Sequence, residues 1–205
     1  MTRIIGGSAR GRTLRTPSGS ATRPTSDRVR EALFSSLEAS LGTLSGATFL
    51  DVYAGTGAVG LEAASRGAAW VTLVERDRGV ASMIAGNARG LGFVDVSVVS
   101  GAASTLAASS PPRPFDVAFL DPPYDAPEAS IASVLSDLGR HGWLAPGGVV
   151  VVERSRRSGA WPWPAGFTAE RDKRYGDTVL WYGRFQPADG APAPTTPPVS
   201  PVGEV

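Results

Sequence analysis

The chain has 205 residues, 42% of them apolar, and a net charge of +1. That is enough for one core of moderate size and does not resemble a chain disordered along its bulk. It has no cysteine and one histidine, His141, which excludes disulfides, thiolate nucleophiles and thiolate or histidine-rich metal sites. No apolar run approaches the roughly 18 residues of a membrane span, and the first residues carry no apolar leader, so a soluble, cytoplasmic protein is expected.

Charge is unevenly placed. Residues 1–30 carry seven arginines (Arg3, Arg10, Arg12, Arg15, Arg23, Arg28 and Arg30) against one acid, Asp27, whereas the rest of the chain has more acids than bases. An arginine-dense arm on a mildly acidic body is an electrostatic footprint for phosphates. Ile4–Gly7 and Arg12–Arg15 flank a Gly/Ser/Arg turn, so a small β-hairpin is expected within a basic extension of residues 1–25. A helix follows from Ser26 as N-cap, with Val29, Ala32, Leu33, Leu37 and Leu41 on one apolar face and Arg28, Arg30 and Glu31 mostly elsewhere.

From residue 47 the pattern alternates. Strands are expected at Thr48–Val52, Trp70–Glu75, Val94–Val99, Phe115–Leu120 and Val149–Glu153, with helices at Ala58–Arg66, Arg78–Leu91, Ala102–Ala108 and Pro127–Arg140 between them. Such alternation predicts parallel βαβ units with right-handed crossovers. Phe167–Asp172 and Thr178–Phe185 read as a closing antiparallel hairpin. The fold class is therefore α/β, Rossmann-like, with a mainly parallel seven-stranded sheet spanning residues 26–185. Residues 186–205 are rich in proline and read as a disordered tail. His141 is expected to be a local cap or a surface residue in preference to a catalyst, and Trp161-Pro162-Trp163-Pro164 to pack on the sheet edge in preference to stacking on bases.

Asp51-Val52-Tyr53-Ala54-Gly55-Thr56-Gly57-Ala58-Val59-Gly60 contains G-x-G-x-x-G between a strand and a helix, and Glu75 ends the next strand. Alone this is a dinucleotide fingerprint, so an NAD-dependent oxidoreductase is one reading. Asp51 points elsewhere. A carboxylate beside the loop would repel a pyrophosphate dianion and attract a cation, which fits S-adenosylmethionine, with its ammonium and sulfonium. Glu75 suits two ribose hydroxyls in either case.

Asp121-Pro122-Pro123-Tyr124 follows the apolar strand Phe115–Leu120, at a strand end where open α/β sheets bind ligands. Proline has no N–H, so this turn presents carboxylate and carbonyl acceptors and almost no donors. An exocyclic base amine suits such a surface: acceptors localise the lone pair that the ring otherwise delocalises. Tyr124 adds a face for stacking.

With these elements in this order the chain resembles class I methyltransferases that act on exocyclic amines. Arg3-Ile4-Ile5-Gly6-Gly7, Arg10-Gly11-Arg12, Thr22–Phe34, Gly60–Ala63, Ser65–Ala68, Asn87, Trp143-Leu144, Val152-Glu153 and Arg174-Tyr175-Gly176 resemble the bacterial RsmD family, over about residues 3 to 185. The resemblance implies methylation of N2 of a guanine in 16S ribosomal RNA, with naked RNA or an assembling 30S subunit as partner, by a monomer without metal or covalent enzyme intermediate. It implies cofactor contact from Asp51, Tyr53, Ala54, Gly55, Thr56, Gly57, Glu75, Arg76 and Ala102, and target contact from Asp121, Pro122, Pro123 and Tyr124. Arg3, Arg10, Arg12, Arg15, Arg23, Arg28 and Arg30 are assigned to RNA phosphates, with the cofactor's carboxylate as another destination for Arg10, Arg12, Arg23 and Arg28. Two departures stand out. Ser100-Gly101-Ala102-Ala103 lacks the acid that usually follows the third strand to hold adenine, leaving backbone groups or Ser104 for that task, and Tyr53 replaces a usual phenylalanine. DNA N6-adenine or N4-cytosine methylation uses the same acceptor turn and is the nearest alternative. C5-cytosine methylation by a thiolate adduct is excluded by the lack of cysteine.

Overall fold

The computed structural model describes residues 2–17 and 26–187. Arg23 and nearly all of the expected tail lie outside the described residues. Ser26 caps α1 (Asp27–Leu41), its hydroxyl accepting from the Val29 N–H, which satisfies one of the donors a helix start leaves orphaned. The alternating segment supplies β1 (Thr48–Asp51), α2 (Ala58–Ser65), β2 (Trp70–Glu75), α3 (Arg78–Gly90), β3 (Val96–Ser100), α4 (Ala103–Ala107), β4 (Phe115–Leu120) and α5 (Glu128–Arg140). β5 (Leu144–Ser155), β6 (Phe167–Tyr175) and β7 (Thr178–Phe185) complete one seven-stranded sheet in the order β3-β2-β1-β4-β5-β7-β6. β1 to β5 are parallel, and β7 runs antiparallel to both β5 and β6.

Successive strand residues point to opposite faces, and both faces are covered. Phe49, Leu73, Val117, Phe119 and Val151 pack with α1, α2 and α3, while Leu50, Val74, Ala118, Leu120 and Val152 pack with α4 and α5. This double burial explains why β4 and β5 read as unbroken apolar runs. Strand order reverses between β1 and β4, so the crevice at their carboxyl ends is the natural ligand site.

Several boundaries depart from expectation: β6 runs on from the expected Asp172 to Tyr175, and three others are larger or bear on the site. β5 begins at Leu144, because Phe115 pairs with Leu144 and Val117 with Val149, and Ala145–Gly148 bulges between those pairs. The ladder resumes beyond Gly148 with its register shifted. β3 starts at Val96, leaving Val94 90% exposed. The expected N-terminal hairpin contracts to a single antiparallel bridge, Arg3 to Thr13. The aromatic loop packs as expected: Trp161 is buried, Trp163 meets it edge-on at 6.4 Å and stacks at 6.2 Å on Phe167. His141 caps α5, with Nδ1 2.9 Å from the Asp137 carbonyl.

Residues 2–17 are not a free arm. Ile4, Ala9 and Leu14 are buried in the core that α1, α2 and α3 share. Arg30, assigned above to RNA, is instead wholly buried beneath this segment. Its Nη2 donates to the Arg3 carbonyl at 2.6 Å and to Asp27 at 3.0 Å, and its Nε lies 3.7 Å from the buried Glu62 carboxylate. Burial lowers the Arg30 pKa while Glu62 and Asp27 oppose the shift; an arginine so placed keeps its charge and needs those partners. Glu62 also pairs with Arg66 at 3.0 Å. Replacing it (Glu62→Ala) leaves Arg30 with only the half-exposed Asp27 as counter-charge and removes the acceptor of the Ile5 and Gly6 N–H groups, and should lower the unfolding free energy by about 3–5 kcal/mol in urea titrations. A loss under about 1 kcal/mol would show that the cluster carries little of the stability.

Candidate active site

A cleft of about 870 Å³ opens at the carboxyl ends of β1, β2 and β4. Asp51, Tyr53, Ala54, Gly55 and Thr56 form one wall, and Glu75, Arg76 and Ala102 a second. Asp121, Pro122, Pro123 and Tyr124 form a third. Gly57 does not line the cleft; with φ +77° it is the N-cap of α2.

Asp51 ends β1 and is 1% exposed. Its Oδ2 accepts from the Gly60 N–H at 3.0 Å, fixing the first turn of α2, whereas Oδ1 has no hydrogen-bond partner among the described residues. Burial pushes the carboxyl up from 3.8 to about 7; the Gly60 hydrogen bond opposes this, as more weakly does the Tyr53 backbone N–H, and the charges of Asp121 and Glu75 add to it. An orphaned buried acceptor on a ligand-sized cleft is an unmet demand for a donor or a cation.

Glu75 braces the loop. Its Oε2 accepts from the Gly55 N–H at 3.0 Å and its Oε1 from the Asp77 N–H at 2.9 Å. A carboxylate has about four acceptor sites, so both oxygens retain capacity for ribose hydroxyls. The glycines divide their work. Gly55 takes φ +52° with open space where a Cβ would stand. A Cβ on Gly57 would come within 2.8 Å of Ile84, and one on Gly60 within 2.5 Å of Leu73. Close packing of α2 and α3 onto the sheet thus requires the second and third glycines, and loop conformation the first.

In the acceptor turn Asp121 is half-buried, Pro122 buried, and Pro123 and Tyr124 exposed, Tyr124 by 66%. The Pro123 carbonyl accepts from the Ala126 N–H at 2.9 Å, closing the turn without any N–H from the prolines. Arg154, a residue the sequence reading passed over, supports it from β5: buried at 6% exposure, it donates from Nη2 to the Ala126 carbonyl at 3.3 Å. The available signal was the charged pair Glu153-Arg154 at the end of a buried apolar strand.

Of the described N-terminal arginines none lines the cleft. Arg3, Arg10, Arg12, Arg15 and Arg28 are exposed. Arg3 pairs with Asp27 at 3.5 Å, and Arg12 donates to the Gly90 carbonyl at 3.3 Å. Gly90 ends α3, whose other end follows Glu75 and Arg76 at the cleft. Thirteen residues of helix at about 1.5 Å each separate the two by about 20 Å, so Arg12 does not reach a cofactor carboxylate in the cleft. That second destination is withdrawn for Arg12.

This strand order, the glycine loop and the acceptor turn together define a Rossmann-like class I methyltransferase fold. A family model described as "Conserved hypothetical protein 95" matches residues 2–184. Ribosomal RNA small subunit methyltransferase D of Escherichia coli is 39% identical over 178 residues, covering 86% of each chain. Its namesake in Haemophilus influenzae is 36% identical over 157 residues, 75% of this chain and 79% of the relative. A solved Escherichia coli structure assigned as a methyltransferase superposes with TM-score 0.78 at 34% identity, over 90% of this chain and 98% of that one. The chain belongs to this family, the RsmD family.

Proposed function

We propose that the protein transfers a methyl group from S-adenosylmethionine to N2 of a guanine in 16S ribosomal RNA. The observation that carries this reading is the cleft's charge: five carboxylates, Asp51, Glu75, Asp77, Asp121 and Asp125, line one cavity against one cation, Arg76, and Asp51 among them has a buried, unmet oxygen. That donor set fits a cationic ligand and opposes the pyrophosphate of a dinucleotide. The names of the relatives, which are ribosomal RNA methyltransferases, support the RNA substrate. Residues 26–185 would be the catalytic body of a cytoplasmic monomer and residues 1–25 its RNA-contacting extension.

Asp51, Gly55 and Glu75 would hold the cofactor, with Tyr53, Ala54, Thr56, Arg76 and Ala102 around it and Gly57 setting the helix start behind it. Bound there, S-adenosylmethionine supplies an electrophilic methyl group on a sulfonium. Asp121 and the Pro122 carbonyl accept the protons of the target amine and turn its lone pair out of the ring plane. Asp121 is also the base within reach for the proton the nitrogen sheds on methylation. Tyr124 stacks on the extruded guanine, and Pro122 and Pro123 keep competing N–H donors away. Much of the rate then comes from positioning. Arg3, Arg10, Arg12, Arg15, Arg23 and Arg28 would meet RNA phosphates.

Calorimetric titration separates the enzyme classes. Binding of S-adenosylmethionine, with none of NAD, is the expected result. Saturable NAD binding without S-adenosylmethionine binding would replace this reading with an oxidoreductase.

A further inference from the structure

The backbone of residues 2–17 is held mainly by side chains of three helices. Its own backbone bonds are local: Ile4 N–H to the Arg12 carbonyl and Leu14 N–H to the Thr2 carbonyl, both 2.9 Å, flank the one bridge, and three more close the turn between them; so small a pairing is not self-supporting in water. Glu62 of α2 accepts from the Ile5 and Gly6 N–H groups, both at 2.7 Å. Ser65 accepts from the Ala9 N–H at 2.9 Å and donates to the Gly6 carbonyl at 2.6 Å. The last anchor is Asn87 of α3, 7% exposed. Its Oδ1 accepts from the Arg15 N–H at 3.0 Å and its Nδ2 donates to the Arg15 carbonyl at 2.9 Å. One amide side chain thus exchanges a pair of hydrogen bonds with one residue's backbone, as a neighbouring strand would.

Asn87 stands in the last turn of the helix whose other end adjoins the cleft. Arg12 bonds Gly90 one turn further on. α3 is therefore a rigid spacer, about 20 Å long, with the cleft at one end and the Arg12 and Arg15 side chains, both exposed, at the other. Stacked nucleotides rise about 3.4 Å each, so the span to Gly90, which holds Arg12, matches about six of them, and the span of about 14 Å to Asn87, which holds Arg15, about four.

We propose that Asn87 is a positioning residue for the RNA: by clamping Arg15 it presets the distance between the arginines and the nucleotide in the cleft. The inference rests on the RNA methyltransferase reading above. An arginine already held in its binding position loses less conformational freedom on association than one on a loose segment. The effect belongs to substrate binding and leaves the chemistry at Asp121 untouched.

The test is a double-mutant cycle on the full chain with 16S RNA or undermethylated 30S subunits as substrate. Asn87→Ala should raise KM for RNA about tenfold, the loss of two hydrogen bonds of ordinary worth. It should leave kcat within about twofold and S-adenosylmethionine affinity unchanged, because both depend on the cleft. Asn87→Asp, which keeps the acceptor and loses the donor, should fall between. In an Arg12→Ala/Arg15→Ala background Asn87→Ala should add almost nothing, since the clamp then has no charges to position. Hydrogen exchange at the Arg15 amide reports whether the clamp has opened. An open clamp with unchanged KM overturns the proposal. So does a full KM penalty in the double-arginine background, or a joint fall of kcat and cofactor affinity, which would make Asn87 part of the general scaffold. Failure of the underlying reading looks different: wild-type protein would place no methyl group on RNA at all.

Discussion

Asp121→Ala is expected to lower kcat by about 10²- to 10³-fold, with S-adenosylmethionine affinity retained. The side chain sits on the wall opposite the glycine loop, in a turn whose prolines contribute no N–H. Removing its carboxylate leaves only carbonyls to draw the protons of the amine, so the lone pair stays in the ring and attack slows. Cofactor affinity is retained for an electrostatic reason. Loss of the Asp121 charge removes one attraction for a cation, but that charge is also one cause of the raised Asp51 pKa, so Asp51 ionises more readily and offsets the loss. Single-turnover rates alongside calorimetric Kd values check both halves. Full turnover in Asp121→Ala would remove the residue from the chemistry.

Asp51→Asn should stabilise the protein without cofactor and weaken the cofactor's binding at least tenfold. The folded carboxyl titrates at about 7 against an ordinary 3.8, so the folded state holds its proton more tightly than the unfolded one. Asp51 therefore costs nothing below about pH 4, costs progressively more as pH rises toward 7, and levels off above that. About three pH units at 1.36 kcal/mol each give a penalty on the order of 4 kcal/mol at neutral pH and above. An asparagine keeps the acceptor for the Gly60 N–H and escapes this penalty, but offers no charge to a sulfonium or ammonium. Melting curves at pH 8 should favour Asp51→Asn, and the gap should close near pH 4. For the wild type, cofactor affinity should rise with pH up to about 7, as Asp51 ionises, and then flatten. Equal melting temperatures at pH 8 together with equal affinities would refute this.

Much of the site was legible because its parts are local. The Asp51 to Gly60 run, Glu75 and the acceptor turn each occupy one strand end, and short apolar runs alternating with helical segments placed those ends. Long-range pairing was not legible. Arg30 looked like its exposed neighbour Arg28, but it lies one step round α1 from Val29, where the N-terminal segment covers it and Glu62 neutralises it. Nothing local announces that a helix will receive a lid from residues more than 20 positions away. The bulge at Ala145–Gly148 was hidden likewise: Pro and Gly signal a break, and only pairing with β4 shows the ladder resuming. Asn87 and Arg154 are ordinary polar residues until the backbone groups they satisfy, at Arg15 and Ala126, are brought to them.

The central claim is tested most directly by transfer of radiolabelled methyl from S-adenosylmethionine to three substrates: 30S subunits lacking the modification, naked 16S RNA and duplex DNA, with the labelled nucleoside identified by mass spectrometry. The expected product is N2-methylguanosine from ribosomal substrate alone, and the better of the two ribosomal substrates identifies the assembly state recognised. Methyladenine or N4-methylcytosine in the DNA, with no label in RNA, would contradict the account and turn the arginine-rich segment into a DNA-binding element.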